Sequence, residues 1–134
     1  MKVDPLVILL NKDFVLDKKF YFVSGNEVTL MEKIVKIIIE RYKNNQSANI
    51  QYIGTINEFV DEIGLFEDKK IYFCKNCKGI DKIDLNELRE TNGIFIFFQE
   101  NSQKIKSVKN LFIKNNDSYV IDCYELSKES KIKI

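Results

Sequence analysis

The chain has 134 residues, a length typical of a single domain that buries its core without disulfides or metals for support. Its 21 basic and 20 acidic residues leave a net charge of +1, which argues against a generally basic nucleic-acid-binding surface. Histidine is absent, which excludes Ser-His and Cys-His nucleophiles and removes the commonest metal ligand. No apolar run is long enough to span a membrane, and the three cysteines predict free thiols in a reducing cytoplasm.

Five short apolar runs predict buried strands. Each run is rich in aromatic and β-branched residues and is nearly continuous, a pattern typical of parallel strands covered on both faces. The predicted strands are Phe20–Val23, Ile50–Ile53, Ile71–Cys74, Ile94–Phe98 and Tyr119–Cys123.

Helical patterns lie between these strands, the clearest over Val28–Lys43 and shorter ones over residues 57–63, 85–90 and 104–114. Strands that alternate with helices predict an α/β fold with an open, mainly parallel five-stranded sheet and flanking helices. We assign residues 1–126 to this domain. The charged residues 127–134 are interpreted as the start of a connector to a second domain.

The loop after the first predicted strand is where an α/β domain of this kind would hold a nucleotide. It has one glycine, Gly25, and no lysine, so it lacks the pattern that grips phosphates. Glu27 stands where a phosphate would lie and would repel it. The sequence therefore argues against ATP binding, and the loop is interpreted as a degenerate phosphate-binding loop.

Thiol chemistry and phosphoryl transfer are two further functions that an α/β domain of this kind could have. Cys74 and Cys77 have the spacing of a redox motif, but no helix start that would lower a thiol pKa is evident, and zinc would lack ligands. A phospho-acceptor receiver domain needs an aspartate after its third strand, where this chain has Cys74 and Lys75. Phe95, Phe97 and Phe98 are interpreted as core residues of a central strand.

Leu65 and Phe66 form a large apolar pair between a predicted helix, ended by Gly64, and a strand. Such a pair either folds back into the core or stands out as an anchor for a pocket on a partner protein. The local sequence leaves both alternatives open.

In these features the chain resembles the N-terminal domain of the delta subunit of the bacterial DNA polymerase III clamp loader. The resemblance rests on four features in the same order, none decisive alone, and it covers about the first third of the family's length. The first feature is the strand and turn Phe20–Glu27 followed by Leu30, and the second is the pair Leu65-Phe66 followed by Lys69-Lys70 and a strand ending at Lys75-Asn76. The third is the strand Ile94–Phe98, and the fourth is Tyr119–Leu126.

The resemblance implies a RecA-like, AAA+-like fold without a working ATP site, in a non-catalytic protein of bacterial DNA replication. It implies that the partner is the sliding clamp, the beta subunit, which this subunit helps to open. Leu65 and Phe66 match the pair that plugs the clamp, and Ile63 matches an assisting apolar position. At position 61 this chain has Asp, where some members of the family have Gln. Other clamp-loader subunits would bind through domains absent here, and DNA would be contacted only indirectly.

We therefore expect no catalytic residue, cofactor, metal or membrane contact. Leu111-Phe112 lies inside a helical pattern, so we interpret this second Leu-Phe pair as core. Two alternatives stay open: a protein-interaction α/β domain with an unrelated partner, in which Leu65 and Phe66 are core, and a thiol protein centred on Cys74 and Cys77.

Overall fold

The computed structural model describes residues 2–45, 49–55, 70–80, 83, 85–88, 93–100 and 106–123. Strands and helices alternate through most of this part of the chain. In chain order the elements are β1 Lys2–Val3, α1 Pro5–Leu10, β2 Phe20–Gly25, α2 Val28–Asn45, β3 Asn49–Thr55, β4 Lys70–Lys78, α3 Leu85–Leu88, β5 Gly93–Glu100, α4 Lys106–Lys114 and β6 Ser118–Cys123.

The described strands form one six-stranded sheet in the order β1-β6-β2-β5-β4-β3, and every neighbouring pair is parallel. The predicted open parallel α/β sheet is thus confirmed, and each of the five predicted runs lies inside a strand. The sheet has one more strand than predicted, because the two-residue β1 adds to its edge beside β6. A strand of two residues is too short to produce a periodic pattern.

Helix α1 is a second element that the prediction missed. Asp4 caps it, since the Asp4 carboxylate accepts a hydrogen bond from the Leu6 amide at 2.9 Å, and Pro5 occupies the first turn, where no amide is needed. The 6 residues of α1 make fewer than two turns, too few for a helical period to show in the sequence. Ile8 is buried against the sheet, while Leu10 is 70% exposed.

Each face of the sheet carries its own core. Alternate side chains of a strand point to opposite faces, so every central strand contributes to both. One core lies under α1 and α2 and includes Tyr21, Met31, Ile34 and Ile96. The other lies under α3 and α4 and is dominated by aromatic rings, which include Phe20, Phe22, Phe95, Phe97 and Phe112. The interpretation of Phe95, Phe97 and Phe98 as core residues is confirmed, since all three are at most 1% exposed.

Candidate functional site

The carboxyl ends of β2 and β5 form the topological switch point of the sheet. The chain leaves β2 for α2 on one face, whereas it leaves β5 for α4 on the other. The crevice between two such strands is the usual ligand position in open α/β sheets. The residues at this position therefore decide which ligand chemistry the fold supports.

Gly25 ends β2 with a φ of 140°, a conformation that favours glycine. A Cβ atom there would lie 2.0 Å from the Cys123 carbonyl oxygen, so the backbones of β2 and β6 approach too closely for any side chain. The Glu27 amide, at the start of α2, donates to that same carbonyl at 2.9 Å. An amide that would face a phosphate in a nucleotide-binding loop is thus engaged with β6, which agrees with the interpretation of a degenerate loop.

A polar cluster lies beside this turn. The Ser24 hydroxyl donates to Asp122 Oδ1 at 3.1 Å, and Asp122 pairs with Lys109 Nζ at 2.6 Å and with Lys2 Nζ at 3.7 Å. The cluster joins β1, β2, α4 and β6 at one edge of the sheet. Lys109 and Asp122 form a close ion pair, so Lys109 is not an isolated cation that could bind an anionic ligand. The cluster has no local signal in the sequence, because its members lie far apart along the chain.

Gln99 is the other polar residue at the switch point, opposite Ser24 in the register of β2 and β5. It is 6% exposed, and its Nε2 atom has no hydrogen-bond partner among the described residues. One strand further, Asn76 adopts a φ of 48° and its side chain accepts a hydrogen bond from the Glu100 amide at 2.9 Å. The resemblance placed a strand end at Asn76, but β4 continues to Lys78 with a register shift against β3.

A cavity of about 690 Å³ opens at the opposite, amino edge of the sheet. The segment of residues 11–19 forms one wall and is held to α2 by Arg41, whose guanidinium donates to the carbonyls of Ile8, Asn11 and Phe14. Burial lowers the pKa of Lys19 in this wall, while the Asp117 carboxylate opposes that shift. The Arg41 guanidinium thus has a structural role in holding this wall of the cavity.

A groove of about 390 Å³ lies between α2 and the outer strands, on the α1/α2 face of the sheet. Aromatic rings form its floor: the Tyr52 and Phe73 centroids are 5.8 Å apart, and those of Phe73 and Phe98 are 6.2 Å apart. Lys75 Nζ lies 5.4 Å from the Phe98 ring centroid. Tyr52 is 69% exposed, so this apolar surface is open to solvent.

The cysteines differ from the expectation of free thiols. Cys74 is buried and disulfide-bonded, so that prediction is wrong for Cys74. Cys123 is a buried free thiol, and burial raises its pKa to about 12, with the neighbouring Asp122 charge adding to the shift. A thiol with such a pKa is a poor nucleophile at neutral pH. In the described ranges, no group of three or more Cys, Asp or Glu side chains is placed to hold a metal ion.

The predicted clamp-binding residues Leu65, Phe66 and Ile63 lie outside the described residues, as does Asp61. For the second Leu-Phe pair, the core interpretation holds for Phe112, which is fully buried, and is wrong for Leu111, which is 47% exposed. Consecutive residues of a helix lie about 100° apart around its axis, so Phe112 faces the sheet while Leu111 is turned towards solvent. None of the described helices is both long and apolar enough to cross a bilayer.

These observations define an open parallel α/β domain whose switch point is built for contact between strands. No protein-family model matches the chain, and no curated protein matches it significantly. Solved structures that match include the DNA clamp loader delta protein of Bacillus subtilis, with a TM-score of 0.56 and 14% identity. The match covers 86% of this chain and 41% of that protein, so the chain spans less than half of its length. The likeness shows a shared fold, the open parallel α/β sheet with flanking helices.

Proposed function

We propose that this chain is a non-catalytic clamp-loader domain of the delta type, which binds the DNA sliding clamp and helps to open it during bacterial DNA replication. The observation that carries the proposal is the structural match to a clamp loader delta protein over 86% of the chain. The order of the motifs in the sequence points to the same family independently of that match. Other clamp-loader subunits would be partners through further domains, and we expect the protein to act in the cytoplasm.

The carboxyl edge of the sheet supports a role without nucleotide hydrolysis. The Glu27 amide is engaged with β6, and the Glu27 side chain adds negative charge at the start of α2. Lys109, a cation near the switch point, is paired with Asp122 at 2.6 Å. A phosphate at this position would meet the Glu27 carboxylate, so the domain is better suited to bind a protein than ATP.

In this proposal Leu65 and Phe66 fill a hydrophobic pocket on the clamp, and Ile63 packs beside them. Truncation of such anchors costs about 2–4 kcal/mol each at an interface. We therefore expect Leu65→Ala/Phe66→Ala to weaken clamp binding at least about 30-fold, while the circular dichroism spectrum is unchanged. The measurement is titration of the full chain against the sliding clamp of the same organism.

The matched control is Leu10→Ala/Leu111→Ala, which removes two apolar side chains that are 70% and 47% exposed. Phe112 is unsuitable for the control because it is fully buried and its truncation would destabilise the fold. We expect the control to bind like the unchanged chain. Failure of the unchanged chain to bind its own clamp, or equal loss in both variants, would overturn the assignment of Leu65 and Phe66. Direct DNA affinity should be weak, with a shallow salt dependence.

A further inference from the structure

The groove between α2 and the outer strands combines an apolar floor with a rim of alternating charge. Val35 and Ile39 line its helix side, and Ile50, Phe73 and the exposed Tyr52 line its sheet side. An exposed tyrosine beside such a groove has the character of an interface anchor, since tyrosine presents a large apolar ring with a polar tip. The helix rim carries, in order along α2, Glu32, Lys36, Glu40 and Lys43, all of them exposed.

The order of these charges along α2 indicates what binds in the groove. A second α2 helix that lies antiparallel to the first, related by a twofold axis near residue 38, places its Glu40 opposite Lys36 and its Lys36 opposite Glu40. The same axis places Glu32 opposite Lys43 of the second copy, and the reverse. The negative-positive-negative-positive rim is therefore complementary to itself in this orientation, as a twofold interface requires. A parallel arrangement in the same register would place like charges together.

We propose that the groove is a self-association surface of this chain, occupied by a second copy with the two α2 helices antiparallel. Tyr52 of each copy then lies against the apolar lining of the other, and the rim charges set the register. The proposal is independent of the clamp, since it uses none of Leu65, Phe66 and Ile63.

Charge reversal tests the proposed pairing directly. Lys36→Glu places a new carboxylate opposite Glu40 of the second copy at two symmetric positions, and Glu40→Lys places two lysine pairs there. Each reversal alone should weaken self-association at least about tenfold, measured by sedimentation velocity over a concentration series of the full chain. An equimolar mixture of the two variants should restore it, because every close contact then joins a carboxylate to a lysine.

Lys33→Glu is the matched control, since Lys33 is exposed on α2 but does not line the groove. We expect it to associate like the unchanged chain, and we expect Tyr52→Ala to weaken association by about tenfold or more. Circular dichroism establishes that each variant is folded. A chain that is monomeric at every attainable concentration, reversals without effect, or a mixture that associates no better than either variant alone would each overturn the proposal.

Discussion

The two faces of the sheet differ in how completely they are covered. On the α3/α4 face, Phe112 stacks on Phe22 with centroids 4.8 Å apart and also contacts Phe20 and Phe97, which closes a continuous aromatic core. On the α1/α2 face the middle of the core is equally well buried, but the core ends in an open groove where Tyr52 is 69% exposed. The difference teaches that the described part of the α3/α4 face is closed by aromatic packing, while the α1/α2 face has apolar surface left for a partner.

The largest expected effect follows from the closed face. Phe112→Ala should lower the free energy of unfolding by about 3–5 kcal/mol, because it opens a cavity among rings that are themselves fully buried. Its neighbour Leu111 is 47% exposed, so Leu111→Ala should cost less than about 1 kcal/mol. Urea denaturation followed by circular dichroism measures both. Similar losses in the two variants would contradict the description of α4 as a helix with one buried side.

A smaller expected effect is a dependence of the free energy of unfolding on pH, which comes from the α1/α2 face. The α1/α2 core buries Tyr21 and Cys123, and burial raises the pKa of both side chains. The pKa of Cys123 rises from 9.0 to about 12, and that of Tyr21 rises above its ordinary value of 10.0. In the unfolded chain these groups lose their protons first, so their protonated forms favour the folded state. Stability should therefore be unaffected by them below about pH 9 and should fall as pH rises from 9 towards 12.

Tyr21→Phe tests the tyrosine contribution to this alkaline loss. The Tyr21 hydroxyl accepts a hydrogen bond from the Lys18 amide at 3.1 Å, so the variant should be modestly less stable at neutral pH. It should nevertheless lose less stability than the unchanged chain above about pH 10. Denaturation midpoints measured at neutral pH and in alkaline buffer give this comparison. A pH dependence identical to that of the unchanged chain would mean that Tyr21 ionises as freely in the folded state as in the unfolded one.

The smallest expected effect is at the open end of the groove. Tyr52→Ala should change the free energy of unfolding by less than about 0.5 kcal/mol, because an exposed ring gains little from folding. Thermal denaturation at low protein concentration, where the chain is monomeric, measures this term apart from association. A loss as large as that of Phe112→Ala would mean that Tyr52 belongs to the core, and the contrast between the faces would fail.

The sequence predicted the parts of the fold that local patterns determine. The strands β2 to β6 were found because each is a continuous apolar run, and α2 because its period extends over several turns. The strand β1 and the helix α1 were missed because two and six residues are too few for a period. Strand order cannot be read from local patterns, and it is strand order that places β3 at the edge and leaves Tyr52 exposed.

The polar residues of the switch point show the same limit. Ser24 and Asp122 are 98 residues apart, and only the pairing of β2 with β6 brings them together. Gln99 follows a run of apolar residues, and nothing in its local sequence indicates that it is buried. Leu65 and Phe66 were singled out by their position and by resemblance, and they remain a prediction.

The pairing of β2 with β6 also bears on how the protein is made. Contacts such as Lys19 with Asp117 join residues 98 apart, and β1 pairs with β6 from the very start of the chain. During translation β2 emerges early, and it lacks its neighbour β6 until Ser118–Cys123 leaves the ribosome. Closing so long a loop is slow, and the waiting strand edge is a place for wrong pairing. The sheet is therefore complete only after β6 has been synthesised, because β6 supplies the second neighbour of β2.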